Sequence, residues 1–328
     1  MRPEIWPLLC AFLWLSSSNV SANDTIAELS TGGLVFKKSA DISMLSEDLF
    51  ISLNSIRVKY RFKNNKPAAT LVTVAFPLPD IGQDAFENNV AIPSPQHANF
   101  LSFFTKVNGV SQETKLELRA VHNGTDFSEH LRHLGVPITT QFAEAELALK
   151  NLSVDAKIDL SNLGLVSITP AASGDLITPR WAIKTTYYWE QLFPPKEIVE
   201  IEHAYQPSVG RASETSIGGS ELGEETDDRE HRQKYCVTDS FDRQIGRLKN
   251  KRIDVRPFWL TYVLKTGSNW SGPIRQFRLV IERDHPSTFV SFCGQNVRRL
   301  NAMQSELRSR NYYPMKDLHI LFLKTGSR

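Results

Sequence analysis

The sequence predicts a mainly β protein made of two antiparallel β-sandwich-like parts, with a short helical insertion in the first. Three observations carry this. Apolar residues recur at every second position in several segments, as strands with one buried face require. Asn-, Gly- and Pro-rich turns separate those segments at short intervals. Helical patterning is confined to a few stretches, too few for a parallel sheet in which a helix follows each strand.

Residues 1–22 come first and have a different character. Arg2 gives a positive start, residues 5–15 (IWPLLCAFLWL) form an apolar run, and Val20-Ser21-Ala22 offers the small residues a signal peptidase accepts. The expectation is a signal peptide cleaved after Ala22, a mature chain that begins at Asn23, and a periplasmic or secreted location. No later run approaches the ~20 apolar residues of a transmembrane helix.

Beyond the leader, Ile56, Val58, Tyr60 and Phe62 alternate with Arg57, Lys59, Arg61 and Lys63, which predicts a strand. Residues 70–76 are expected to return as its hairpin partner after Asn64-Asn65-Lys66-Pro67. Pro77 and Pro79 end that strand, because neither can donate to a ladder. A further strand is expected over 100–107, with residues 115–121 pairing back after Asn108-Gly109. Residues 126–134 predict a short helix with Asp126 as N-cap and Gly135 as its stop, and residues 141–152 a second helix.

Strand patterning resumes with Trp181, Ile183, Thr185, Tyr187 and Trp189 on one face, then Val199, Ile201, His203 and Tyr205 on the next inward face. Residues 208–234 are poor in large apolar side chains and read as a flexible loop or linker. A helix over 240–250 and strands over 258–266, 274–282, 288–292 and 318–323 complete the chain. The expected division is a leader (1–22), a sandwich-like domain (23–207, helical insertion at about 126–165), the linker (208–234) and a second β-rich domain (235–328).

The net charge of +2 persists after cleavage, since Arg2 and Glu4 leave together. That balance argues against nucleic-acid binding, which needs clustered positive charge. Cleavage also removes Cys10 and leaves Cys236 and Cys293. Two cysteines in an oxidising compartment predict a disulfide.

Several motifs resemble a bacterial family of exported proteins, the domain of unknown function 4424. They are FPLP (76–79), TTYYWEQLFPP (185–195), VEIEHAYQPSVG (199–210), CVTD (236–239) and WLTYVLKTGSNWSGPI (259–274). The resemblance implies an extracytoplasmic protein and transfers no catalytic residue. The first half also resembles the sandwich domain of inter-alpha-trypsin-inhibitor heavy chains, which implies fold alone.

Candidate chemistry is sparse, and no cofactor is expected. His203 shares its face with Tyr205 and, with Asp239, makes a possible polar site. The alternative is a histidine that hydrogen-bonds across the sheet and sets strand register. His130 and His133 stand at i and i+3 beside Glu129, a metal-binding spacing or a solvated helix face. Glu221, Glu224, Glu225, Asp227 and Asp228 lack the spacing of a calcium loop. Trp259, Trp270, Tyr312 and Tyr313 could form a platform for glycan or peptide, or fill a core. Arg243, Arg247, Lys249, Lys251 and Arg252 could meet an anionic envelope surface, or line a wet helix face. The function expected is binding or structure in the envelope, with an envelope protein, peptide or glycan as partner. The alternative is an envelope hydrolase with its site between the two parts.

Overall fold

The computed structural model describes residues 23–30, 33–82, 90–172, 174–219 and 226–326. In chain order the strands are β1 (Thr25–Ser30), β2 (Gly33–Lys37), β3 (Ile42–Ile51), β4 (Ile56–Asn64), β5 (Thr70–Pro77), β6 (Val90–Ala91), β7 (Phe104–Val107), β8 (Val110–Gln112), β9 (Lys115–His122) and β10 (Thr125–Asp126). Three helices follow, α1 (Ser128–His133), α2 (Phe142–Lys150) and α3 (Val154–Asn162), then the hairpin of β11 (Val166–Thr169) and β12 (Leu176–Pro179). Next come β13 (Ala182–Phe193), β14 (Ile198–Tyr205), β15 (Val209–Arg211), α4 (Thr226–Lys234) and α5 (Asp239–Asn250). The chain closes with β16 (Asp254–Tyr262), a 3-10 turn (Lys265–Asn269), β17 (Ile274–Glu282), β18 (Phe289–Phe292), β19 (Arg298–Arg299), β20 (Gln304–Tyr312) and β21 (Leu318–Gly326).

These strands form three large sheets, of six strands (β10-β9-β13-β5-β1-β2), eight (β19-β20-β17-β3-β4-β14-β7-β8) and five (β18-β21-β16-β15-β6). The protein is mainly β with few helices, as expected. The six- and eight-stranded sheets face each other. Phe193 of the first meets Phe62 of the second (6.1 Å between centroids), and Trp189 meets His203 (5.4 Å). Leu260, Tyr262, Ile320 and Phe322 of the five-stranded sheet bury their side chains in the same core.

Two expected hairpins are corrected. β4 pairs with β3 and β14, whereas β5 pairs with β1 and β13, so the chain changes sheet between them. Buried Asn64 makes that corner: its Nδ2 donates to the carbonyls of Ala68 and Phe193, each at 2.9 Å. Likewise β9 pairs with β13, whereas β7 pairs with β8 and β14. Asn108 and Gly109 both have positive φ (48° and 81°), the two-residue turn that joins immediate neighbours.

The helical insertion stands where it was expected, between β9 and β13, which pair with each other. Its first cap differs. Phe127 is the N-cap of α1, and the Asp126 carboxylate accepts from the Ser128 N–H instead. The division at 208–234 is not a sheet boundary. β17 lies parallel to β3, so residues 274–282 extend the sheet begun by residues 42–51. Within 208–234, β15 pairs with β16 and β6, and α4 is helical, so those parts are structured. Glu221, Glu224 and Glu225 lie outside the described residues.

Cys236 and Cys293 are disulfide-bonded across a sequence separation of 57, tying the α4–α5 connection to the end of β18. Replacing both with serine should lower the unfolding free energy by about 4 kcal/mol, the chain-entropy value for a loop of that length. Denaturant unfolding of the pair variant measures it, and an unmoved midpoint would contradict it.

Candidate functional site

Alternation along β14 turns Val199, Ile201, His203 and Tyr205 toward the core, and all four are buried. The His203 imidazole is enclosed by the rings of Phe76 (4.8 Å), Phe103 (5.1 Å), Trp189 (5.4 Å) and Tyr60 (5.9 Å). Its Nδ1 lies 2.9 Å from the Thr105 hydroxyl, and its Nε2 lies 3.0 Å from Asp24 Oδ1. A hydroxyl, an imidazole and a carboxylate in line match the parts of a nucleophilic triad. Yet Thr105 is 1% exposed, His203 2% and Asp24 0%, so a substrate carbonyl has no approach in this packing.

A second carboxylate stands beside the first. β3 carries a bulge between Met44 and Ser46, after which Glu47, Leu49 and Ile51 all point inward. Glu47 Oε2 accepts from Asn23 Nδ2 at 3.0 Å, and the Asn23 backbone N–H donates to Thr266 Oγ1. The Asp24 carbonyl accepts from Trp270 Nε1, and the Tyr60 and Tyr262 hydroxyls meet at 2.9 Å across two sheets. Burial dominates the electrostatics. It pushes the Glu47 carboxyl up to about 8, with the nearby Asp24 charge adding and the Asn23 hydrogen bond opposing. Burial likewise raises Asp24 against the pull of His203, and drives both tyrosines well above their ordinary range.

Where the three large sheets meet lies a pocket of about 110 Å³. Leu78, Ile81, Phe100, Leu101, Leu260 and Trp259 supply its apolar walls, with Asp80 and Ser208 beside them. Tyr205 and Thr185 line it too, and among the described residues the buried Thr185 hydroxyl has no hydrogen-bond partner. Gly210 makes room there, since a Cβ on it would come within 2.1 Å of the Trp259 indole.

Of the residues singled out from sequence, His203 and Tyr205 share one face as expected, and both pack on Phe76 and Phe103. Asp239 is not with them; it sits exposed in the first turn of α5, and Asp24 is the carboxylate that meets His203. His130 and His133 are exposed on α1. The aromatic platform does not assemble: Trp270 is buried against Phe62, Tyr312 stacks on Phe277, and Tyr313 is exposed. Arg243, Arg247, Lys249, Lys251 and Arg252 lie on or just after α5, where Lys249 is partly buried and donates to the Thr215 carbonyl. Among the described residues no group of three or more His, Cys, Asp or Glu side chains is arranged to hold a metal.

A family model described as a domain of unknown function, DUF4424, matches residues 22–321. The chain belongs to that family. No curated protein matches the sequence. Among solved structures, this DUF4424 chain is similar to a "putative nutrient binding protein" from Legionella pneumophila subsp. pneumophila str. Philadelphia 1, with TM-score 0.46 and 18% identity over 92% of this chain and 70% of that one. It is also similar to an M1 zinc metallopeptidase from Deinococcus radiodurans, with TM-score 0.25 and 8% identity over 87% and 43%. Likenesses this distant carry no functional argument. No inter-alpha-trypsin-inhibitor heavy chain stands among these matches.

The Glu47 shift has a sign that can be measured. Between its ordinary value of 4.5 and about 8, the native state binds a proton that the unfolded state has lost. Stability of the chain with an amide at Asn23 should therefore fall as pH rises through that window, by up to about 1.4 kcal/mol per unit from this group. Glu47→Gln should remove that slope. Parallel slopes in urea titrations at pH 5 to 8 would refute it.

Proposed function

We propose that this is an exported protein, released by cleavage after Ala22 into the periplasm or medium, that binds a peptide or a segment of an envelope protein. The binding element is the pocket at the junction of the three sheets, which accepts one apolar side chain of the partner. The observation that carries this reading is its size and lining. A site for a drug-sized ligand usually spans ~300–1,000 Å³, whereas a cavity of roughly 150 Å³ holds a single benzene ring. At about 110 Å³, with apolar walls and the free Thr185 hydroxyl, this pocket suits one side chain and one backbone hydrogen bond. The leader-like residues 1–22 and the disulfide support an extracytoplasmic setting. Among the described residues no helix is long and apolar enough to cross a membrane. No observation favours the hydrolase alternative, because the Thr105–His203–Asp24 line is sealed in the core.

Calorimetric titration with tripeptides whose central residue runs Ala, Val, Leu, Phe tests the proposal. Affinity should depend on the central side chain, and Ser208→Trp, which places an indole in the pocket, should weaken the best peptide about tenfold or more, the worth of one buried apolar side chain. Equal affinity for the plugged variant, with its circular dichroism unchanged, would rule the pocket out.

A further inference from the structure

We infer that the polar core is completed by the chain's own new N-terminus: the α-ammonium of Asn23, freed by cleavage after Ala22, is the buried cation that Glu47 and Asp24 lack. The inference rests on the cleavage reading above. Hydrolysis of the bond between residues 22 and 23 adds water. The Ala22 carbonyl takes the hydroxyl and leaves as a carboxylate with the leader, while the Asn23 nitrogen takes up protons and becomes an ammonium.

Three observations lead there. First, the cluster is short of positive charge. Asp24 and Glu47 are both fully buried, and among the described residues neither pairs with a lysine or arginine; His203 faces Asp24 alone. Buried carboxylates stay ionised only when paired with a cation or well supplied with donors.

Second, the core holds acceptors without donors. Asn23 Oδ1, Asp24 Oδ2 and Glu47 Oε1 are buried with no hydrogen-bond partner among the described residues. The amide at Asn23 has one hydrogen, which goes to Thr266 Oγ1. An ammonium has three, and the two it adds find these acceptors in the same enclosure.

Third, the fold makes room for the chain end. Asn23 is fully buried, its Nδ2 reaches both Glu47 Oε2 and the Leu264 carbonyl, and a Cβ on Gly267 would come within 2.6 Å of that nitrogen. Gly267 thus keeps its backbone clear of the incoming residue. The family match, which begins at residue 22, covers the same boundary.

The test uses the full mature chain in two forms, one beginning at Asn23 and one carrying Gly-Ser before it, both released from a cleavable fusion. An amine-reactive ester, with mass-spectrometric mapping, reads the α-amine. In the native Asn23 form, labelling should be about 100-fold slower than in the unfolded chain, because it requires opening of the core. The Gly-Ser form should melt at a lower temperature, and Glu47→Gln should lower the melting temperature more in the Asn23 form than in the extended one. Native labelling at the unfolded rate, or equal melting temperatures for the two forms, overturns the inference. N-terminal sequencing of the exported protein separates the two ideas. A chain beginning elsewhere overturns the cleavage reading and the inference together, whereas a chain beginning at Asn23 whose amine labels freely overturns the inference alone.

Discussion

The 3.0 Å contact between His203 Nε2 and Asp24 Oδ1 joins parts of the chain that are 179 residues apart. Asp24 leads directly into β1 of the six-stranded sheet, while His203 stands on β14 of the eight-stranded one. The Asp24 carbonyl also takes the Trp270 indole N–H, which anchors the segment just beyond the 3-10 turn. One short polar stretch thereby fixes how the two large sheets and the C-terminal third of the chain meet. Removing one partner of a buried hydrogen-bonded pair leaves the other unsatisfied, an effect of about 1–3 kcal/mol.

The same cluster shapes the surface available for binding. Phe76 and Phe103 each pack on both His203 and Tyr205, and Tyr205 in turn lines the pocket. The His203 imidazole is buried and surrounded by aromatic rings. The polar side chains that line the pocket include Thr185, Tyr205 and Asp80.

Much of the fold was legible wherever one face of a strand is wet. β4, β13 and β14 follow their alternation, and His203 and Tyr205 were placed on one face with Val199 and Ile201 from spacing alone. Pairing was less legible, because Asn64 turns the chain into another sheet through hydrogen bonds made to residues as distant as Phe193. β20 was missed for an electrostatic reason. Its buried Glu306 is held by Arg278, Arg298 and Arg308, so apart from Leu307 and Tyr312 the strand's sequence reads as polar. Asp24 was hidden by its isolation at the chain's start. Glu47 did leave a signal: it shares parity with Leu49 and Ile51, a carboxylate on an apolar face.

The central claim is that His203 is sealed inside the core with its carboxylate and hydroxyl partners. Histidine modification by diethylpyrocarbonate, mapped residue by residue, tests it directly. The exposed His130 and His133 should react in the native protein, and His203 only after unfolding. Native modification of His203 at the rate of His130 would mean an open cleft at the imidazole, and would contradict the account.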